Sequence, residues 1–341
     1  MDSSSACSVS ESDTCFSQCN AGTYSFNSSY DIHTTAEASE ILSRVYRPHG
    51  TLARTLYYKY LADERLQRYD RKKWYQCDTD SVPDCIRARF LHLGVDKETE
   101  LFLDQSSHKS GWIFTQLWHS VAKAFLGWFM TQTSINGLLG RGSMFVFSLD
   151  QFRRLLGVAE DWCGGALLDL GAGDGKTTEV MASLFSNVYV TEISGPMRWI
   201  LAKRGFQLLD VETWTGAGIK FDVITCLNLL DRCDRPLSLL HELKASLSPG
   251  GRVVVALVLP FSPYVEIGRL DHRPTEWLPI QGSNFEEQAS SAISVFEASG
   301  FFVERWSRVP YLCEGDLNQA FYWLDDAVFV LSASGGQRDV S

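Results

Sequence analysis

The chain holds nine cysteines but no Cys-x-x-Cys pair, and neither Cys15/Cys19 nor Cys77/Cys85 has a metal-ligand spacing. A zinc ribbon or a disulfide framework is therefore not expected. The thiols are read as reduced, and the chain as intracellular and cytoplasmic by default. Its seven histidines, at 33, 49, 92, 108, 119, 241 and 272, form no His-x-His segment and no metal-site spacing. Lys and Arg are missing from residues 1–40, which carry six acids. With no apolar run either, MDSSSACSVSESD is not read as a signal peptide. An uninterrupted apolar run long enough for a membrane is also missing. The one candidate stretch, Gly111 to Met130, is broken by Gln116, His119 and Lys123, which suits a buried or amphipathic helix. Basic residues are in deficit, 31 against 41 acids, so a broad non-specific nucleic-acid surface is not expected. No internal repeat is visible.

What is present is a globular composition, 45% hydrophobic and 21% charged over 341 residues, enough for roughly two domains at ~150 residues each. Residues 1–45 are Ser-rich and acidic and are read as a disordered tail, since they lack the apolar surface to offset chain entropy. Residues 46–149 are read as a helical accessory segment. In it Trp112, Phe114, Leu117, Trp118, Val121 and Phe125 recur at three- and four-residue spacing. It closes in a glycine-broken loop, INGLLGRGSMFVF. From residue 150 to 335 apolar strands alternate with helices. Strands are predicted at Ala166–Leu170, Val188–Thr191, Phe206–Leu209, Val223–Leu227 and Arg252–Val258. Helices are predicted after Gly175, from Pro196, at Pro236–Ser246 and at Phe285–Ser299. Such alternation makes an α/β fold with a parallel sheet. Two closely spaced late strands, Phe302–Val309 and Ala327–Leu331, predict an antiparallel edge. Residues 336–341 are a short tail.

The chemistry is concentrated in LLDLGAGDGKTT, residues 167–178. A strand runs into Asp169, Gly171 and Gly173 and a helix follows. Glycines let a backbone approach a ligand, and the helix start offers free N–H groups. Dinucleotides want G-x-G-x-x-G there. Here the third glycine position is Lys176, and Asp174 would repel a diphosphate. S-adenosylmethionine carries an ammonium and a sulfonium instead, and an acid at the strand end, Asp169, suits the ammonium. Glu192, closing VYVTE, then suits both ribose hydroxyls, a charge-assisted pair. This pairing favours S-adenosylmethionine over a dinucleotide and over a turn with no ligand. The end of the fourth strand brings Asn228 and Asp231 to where a transferred group would lie; the alternative is a helix cap before Pro236. The whole then reads as a class I, Rossmann-like, seven-stranded methyltransferase sheet with an N-terminal helical segment covering the cofactor and shaping a peptide groove.

SINGLLGRGSMFVFS, LLDLGAGDG, CLNLLDRCDRPL, ALVLPFSPYVE, PYLCEGD and LDDAVFVL together resemble the DREV family over roughly residues 51–335. The resemblance implies a protein-histidine methyltransferase that methylates the pros nitrogen, Nδ1, in His-x-His segments where x is small. It implies cofactor contacts at Glu192, Asn228 and Tyr311, a turn of Asp169, Gly171 and Gly173, and Asp231 and Tyr322 facing the substrate imidazole. Family members can begin with an apolar leader and associate with the endoplasmic reticulum or mitochondria; no leader is seen here.

From chemistry and position, Asp231 is the group expected to accept Nε2–H of the imidazole, leaving the Nδ1 lone pair free. Asn228 is expected to hold cofactor or substrate. Tyr322 is an aromatic wall with a hydroxyl, or else a core aromatic. Arg141 either reaches the methionine carboxylate or is an ordinary surface arginine. Expected partners are proteins with His-x-His motifs, zinc-binding or zinc-transport proteins among them. The chain is expected to be a monomer and to bind neither nucleic acid nor metal. A small-molecule methyltransferase and a cofactor-binding pseudoenzyme acting as an interaction module are the alternatives.

Overall fold

The computed structural model describes residues 50–112, 143–265 and 271–333. Its apolar runs form one eight-stranded sheet. The strands are β1 (Met144–Phe145), β2 (Gly164–Leu170), β3 (Phe185–Thr191), β4 (Gln207–Leu209), β5 (Phe221–Leu227), β6 (Leu247–Val258), β7 (Phe301–Glu314) and β8 (Phe321–Ala333), in the order β1-β7-β8-β6-β5-β2-β3-β4. The strands from β4 to β6 pair in parallel, while β8 is antiparallel to both β6 and β7. The seven expected strands are all present. The eighth, β1, lies within the stretch expected to be a loop. It pairs antiparallel with β7, setting Met144 opposite Cys313 and Phe145 opposite Leu312. Two residues just after a run of glycines carry too little alternation to read as a strand, but burial of the Phe145 side chain holds the pair in register.

The helices between strands are α4 (Leu149–Leu156), α5 (Lys176–Ala182), α6 (Gly195–Lys203), α7 (Pro236–Ser246) and α8 (Phe285–Ala298). They follow α1 (Thr51–Arg68), α2 (Asp84–Arg87) and α3 (Lys97–Gly111). Successive strand residues point to opposite faces, and here both faces are covered. Leu168, Ile224, Cys226, Val253 and Phe329 pack against Leu240 and Leu243 of α7 and Ile293 and Phe296 of α8. Leu167, Val223, Val254, Val328 and Val330 face the other way, onto Phe152 and Leu155 of α4 and Met181 of α5.

The N-terminal region shares both cores. Trp74, Tyr75, Leu93 and Leu103 belong to the second, and Val82 and Ile86 to the first. Trp306 of β7 ties it down: its indole N–H donates to the Ile86 carbonyl at 2.9 Å, its backbone N–H to Arg89 at 3.0 Å, and its carbonyl accepts from Leu91 at 2.8 Å. Among the described residues no helix is long and apolar enough to cross a membrane. The tails 1–45 and 336–341, and most of the periodic stretch from Trp112 to Phe125, lie outside the described residues.

Candidate active site

β2 ends beside a turn in which Gly171, Gly173 and Gly175 have φ of +68°, +57° and +78°, a region that favours glycine. Each glycine meets different surroundings. A Cβ on Gly175 would stand 2.7 Å from Leu201 Cδ2, and one on Gly171 would stand 3.1 Å from Leu229 Cδ1. A Cβ on Gly173 would meet nothing within 4 Å, so this glycine faces open space at the carboxyl end of the sheet. β3 is fastened to the same turn. The buried Glu192 accepts from Gly173 N–H through Oε2 at 2.9 Å and from Ser194 N–H through Oε1 at 2.8 Å. Each carboxylate oxygen has a second lone pair for a ligand hydroxyl.

Asp169 lies under the turn. Its Oδ2 accepts from the Thr178 hydroxyl at 2.5 Å and its Oδ1 from the Thr225 hydroxyl at 2.6 Å. Burial pushes its carboxyl up to about 6, against the opposing pull of the two hydroxyls. The acid expected to receive an ammonium is thus engaged at both oxygens and ties β2 to α5 and β5. Lys176, in the place of a third dinucleotide glycine, directs its ammonium to the Ser143 hydroxyl and stands 3.8 Å from Asp174.

A second polar group closes the opposite side. Asn228 follows β5 with φ +52°, unusual for a non-glycine residue, and its N–H donates to the Ala256 carbonyl at 3.0 Å. Its Nδ2 donates to Asp326 Oδ2 at 2.8 Å. Its Oδ1 is buried with no hydrogen-bond partner among the described residues. Asp326 is fully buried on β8, opposite Val258 on one side and Val309 on the other. Burial first, and the nearby Asp231 carboxylate after it, raise its carboxyl to about 8, with the Asn228 amide opposing. Asp231 is also buried. Arg232 Nε lies 3.4 Å from its Oδ2, and its carbonyl accepts from Tyr264 N–H at 2.7 Å. α7 begins at Pro236 with Arg235 before it and no side-chain cap, so neither Asn228 nor Asp231 is a cap for it.

Tyr311 on β7 directs its hydroxyl to the Met144 sulfur, and burial together with Cys313 and Asp326 pushes its phenol well above the usual range. Tyr322 on β8 donates to Asp316 Oδ1 at 2.9 Å in the β7–β8 turn. The structure thus joins Asp169, Gly171, Gly173 and Glu192 in one group, and draws Asn228, Asp231 and Tyr311 together around Asp326. Tyr322 is engaged at the hairpin end, and Arg141 lies outside the described residues. Sequence reasoning missed Asp326. The available signal was its phase: it shares a β8 face with Val328 and Val330, both buried. No group of three or more His, Cys, Asp or Glu that could hold a metal ion occurs among the described residues.

A parallel sheet ending in a reversed hairpin, with a glycine turn and an acid on the neighbouring strand end, defines a class I S-adenosylmethionine-dependent methyltransferase. The residues present fit that cofactor: there is open space before Gly173, a carboxylate beside it, and a buried acceptor at Asn228. The chain belongs to the DREV methyltransferase family, whose model matches residues 74–333. It is also similar to the mitochondrial ubiquinone biosynthesis O-methyltransferase of Schizosaccharomyces pombe, 30% identical over 106 residues, which are 28% of this chain and 38% of that protein. The match therefore spans under two fifths of that relative. Two solved structures with 13% identity are similar at a TM-score of 0.37, each over 54% of this chain. One is a SAM-dependent methyltransferase from Leishmania major, covered over 71% of its length. The other is the N-methyltransferase NodS from Bradyrhizobium japonicum with bound S-adenosyl-L-homocysteine, covered over 85%.

Proposed function

We propose that this methyltransferase acts on protein histidine, transferring a methyl group to Nδ1 in His-x-His segments where x is small, the activity of the methyltransferase-like protein 9 branch of its family. The observation that carries the reading is the buried carboxylate of Asp231, just after β5, on the side of the sheet where a methyl acceptor would lie. A neutral imidazole needs orientation and charge stabilisation there and no strong base.

When bound, S-adenosylmethionine supplies an electrophilic methyl group on a sulfonium. Glu192 would hold the ribose hydroxyls with its remaining lone pairs, and the open space at Gly173 would leave room for the ligand. At pH 7 roughly three quarters of free histidine is already neutral, given a pKa of about 6.5. The enzyme's task is therefore the tautomer and the line of attack. Asp231 would accept Nε2–H, which would leave the Nδ1 lone pair free to face the methyl donor. Its carboxylate stabilises the imidazolium, whose Nε2 proton then passes to solvent. Tyr311 would contact the cofactor, and Tyr322 would face the imidazole from the β7–β8 hairpin end. The chain acts as a monomer, and its partners are proteins with alternating histidines, zinc-binding or zinc-transport proteins among them.

The test is methyl transfer from labelled S-adenosylmethionine to an Ala-His-Ala-His peptide and its two single His→Ala variants, with the isomer read by amino-acid analysis. Label on one histidine as the pros isomer, lost with either substitution, supports the reading. Asp231→Ala is expected to lower turnover at saturating peptide by about 100-fold, the scale of a lost positioning and electrostatic contact. Unlabelled peptide in the presence of a calorimetrically bound cofactor overturns the histidine assignment.

A further inference from the structure

We propose that Asp326 is a positioning residue for the cofactor: its carboxyl group takes the Asn228 amide N–H and thereby presents Asn228 Oδ1 as the acceptor for the ammonium of S-adenosylmethionine. The inference rests on the cofactor alone and is independent of which acceptor is methylated.

Three observations converge on it. An ammonium has three donors, and Asp169, which has already given one lone pair of each oxygen to Thr178 and Thr225, does not satisfy it alone. Asn228 Oδ1 is a buried acceptor with no partner among the described residues, at the carboxyl end of the strand beside β2. An unpartnered buried acceptor is costly unless a ligand donor satisfies it. Finally, an amide has two ends, and something must choose which end faces the ligand. Here the choice is made by Asp326 Oδ2 at 2.8 Å from Nδ2, and Asn228 is itself pinned by a left-handed backbone and a bond to Ala256.

β8 carries only apolar side chains over residues 327–331, so a fully buried acid beside them in mid-strand opposes folding and calls for a reason. The adjacent Asp325 has an ordinary one, an ion pair with Arg308 at 2.8 Å. The ionisable groups around Asp326 are Asp231 and Arg232 after β5, Tyr311 and Cys313 on β7, and Asp325 beside it. None of them takes the Asn228 amide. With its carboxyl raised to about 8, Asp326 carries a proton at pH 7, and since Oδ2 accepts from Asn228 Nδ2 that proton sits on Oδ1, away from the amide. An amide at this position is then its near isostere, still offering an oxygen to Nδ2.

The experiment is calorimetric titration of the full chain with two ligands. S-adenosylhomocysteine carries the ammonium, and methylthioadenosine lacks the whole amino-acid end. Asp326→Val is expected to weaken S-adenosylhomocysteine about tenfold or more, the scale of a lost hydrogen bond to a charged group, and to leave methylthioadenosine within about twofold. Asp326→Asn is expected to keep S-adenosylhomocysteine within about threefold of the wild type, and the Asp326→Val, Asn228→Ala pair to bind no worse than Asn228→Ala alone. If Asp326→Val does not fold, Asp326→Ser, too short to reach Nδ2, takes its place in the cycle. Equal weakening of both ligands, additive losses in the double variant, or unchanged S-adenosylhomocysteine affinity overturns the proposal. Failure of the histidine peptide assay with this pattern intact would refute the histidine reading and leave the role of Asp326 standing.

Discussion

Glu192→Gln tests the centre of the cofactor site with one atom changed. In the wild type the two carboxylate oxygens accept separately, from Gly173 N–H at 2.9 Å and from Ser194 N–H at 2.8 Å. Glutamine has one acceptor oxygen. Whichever way it turns, its NH2 faces a backbone N–H, and one of the two bonds is lost. A hydrogen bond to a charged group contributes about 1.5–3 kcal/mol, and a factor of ten in affinity is about 1.4 kcal/mol. The backbone bond is lost with and without ligand and lowers stability, while the ribose hydroxyls exchange a charged acceptor for a neutral one, which is expected to weaken S-adenosylhomocysteine by about tenfold or more. Calorimetric titration reads this directly, and a thermal melt separates it from unfolding. Affinity within about threefold of the wild type in a folded variant would refute the assignment, since a site that tolerates a donor there does not use the carboxylate for the ribose.

Three further perturbations follow from the same geometry. Gly173→Ala and Gly175→Ala both place a side chain at positive φ, at about 1–2 kcal/mol each, but only Gly175→Ala also drives a methyl against Leu201 at 2.7 Å. The melting temperature is therefore expected to fall more for Gly175→Ala, and cofactor affinity at 25 °C to fall more for Gly173→Ala; the reverse order would refute the division of roles. Asp326 ionises at about 8 in the fold and near 3.9 when unfolded. The native state thus holds the extra proton, and wild-type stability falls as pH rises from about 4 through 8. Asp326→Asn lacks this loss, so its melting temperature relative to the wild type is expected to climb from pH 5 to pH 9, and parallel melts would contradict it. Trp306→Phe deletes the indole bond to the Ile86 carbonyl and leaves a void in a fully buried place. A loss of about 2–4 kcal/mol in denaturant unfolding is expected, and less than 1 would show that the contact is idle.

The parallel core was legible because its strands are buried on both faces and read as unbroken apolar runs, each closed by glycine or a polar residue. The ligand turn was legible because positive φ leaves glycine as its signature. What escaped was non-local. The pair Asp325–Asp326 looks like two solvated acids at a strand start, and only the register against Val258 and Val309 sends one to Arg308 and the other into the site. Asp169 was legible as a site acid, but its partners were not. Thr178 and Thr225 are 9 and 56 residues away, and their hydroxyls tie it to α5 and β5. β1 was hidden because two residues have no period.

The far side of the sheet has a different consequence. β7 is 14 residues long and is the last long strand on its side, an open row of backbone donors and acceptors. Two short pieces from earlier in the chain blunt it: the bonds of Arg89 and Leu91 to Trp306, and the pairing of Met144 and Phe145 with Leu312 and Cys313. An exposed long strand edge is a template for pairing with other chains. The N-terminal region therefore covers part of an edge that would otherwise be open to pairing with another chain. A fragment cut at residue 150 would keep the glycine turn and every acid of the site, yet expose this edge and the indole of Trp306. It is expected to elute as aggregate where the chain from residue 50 elutes as a single species.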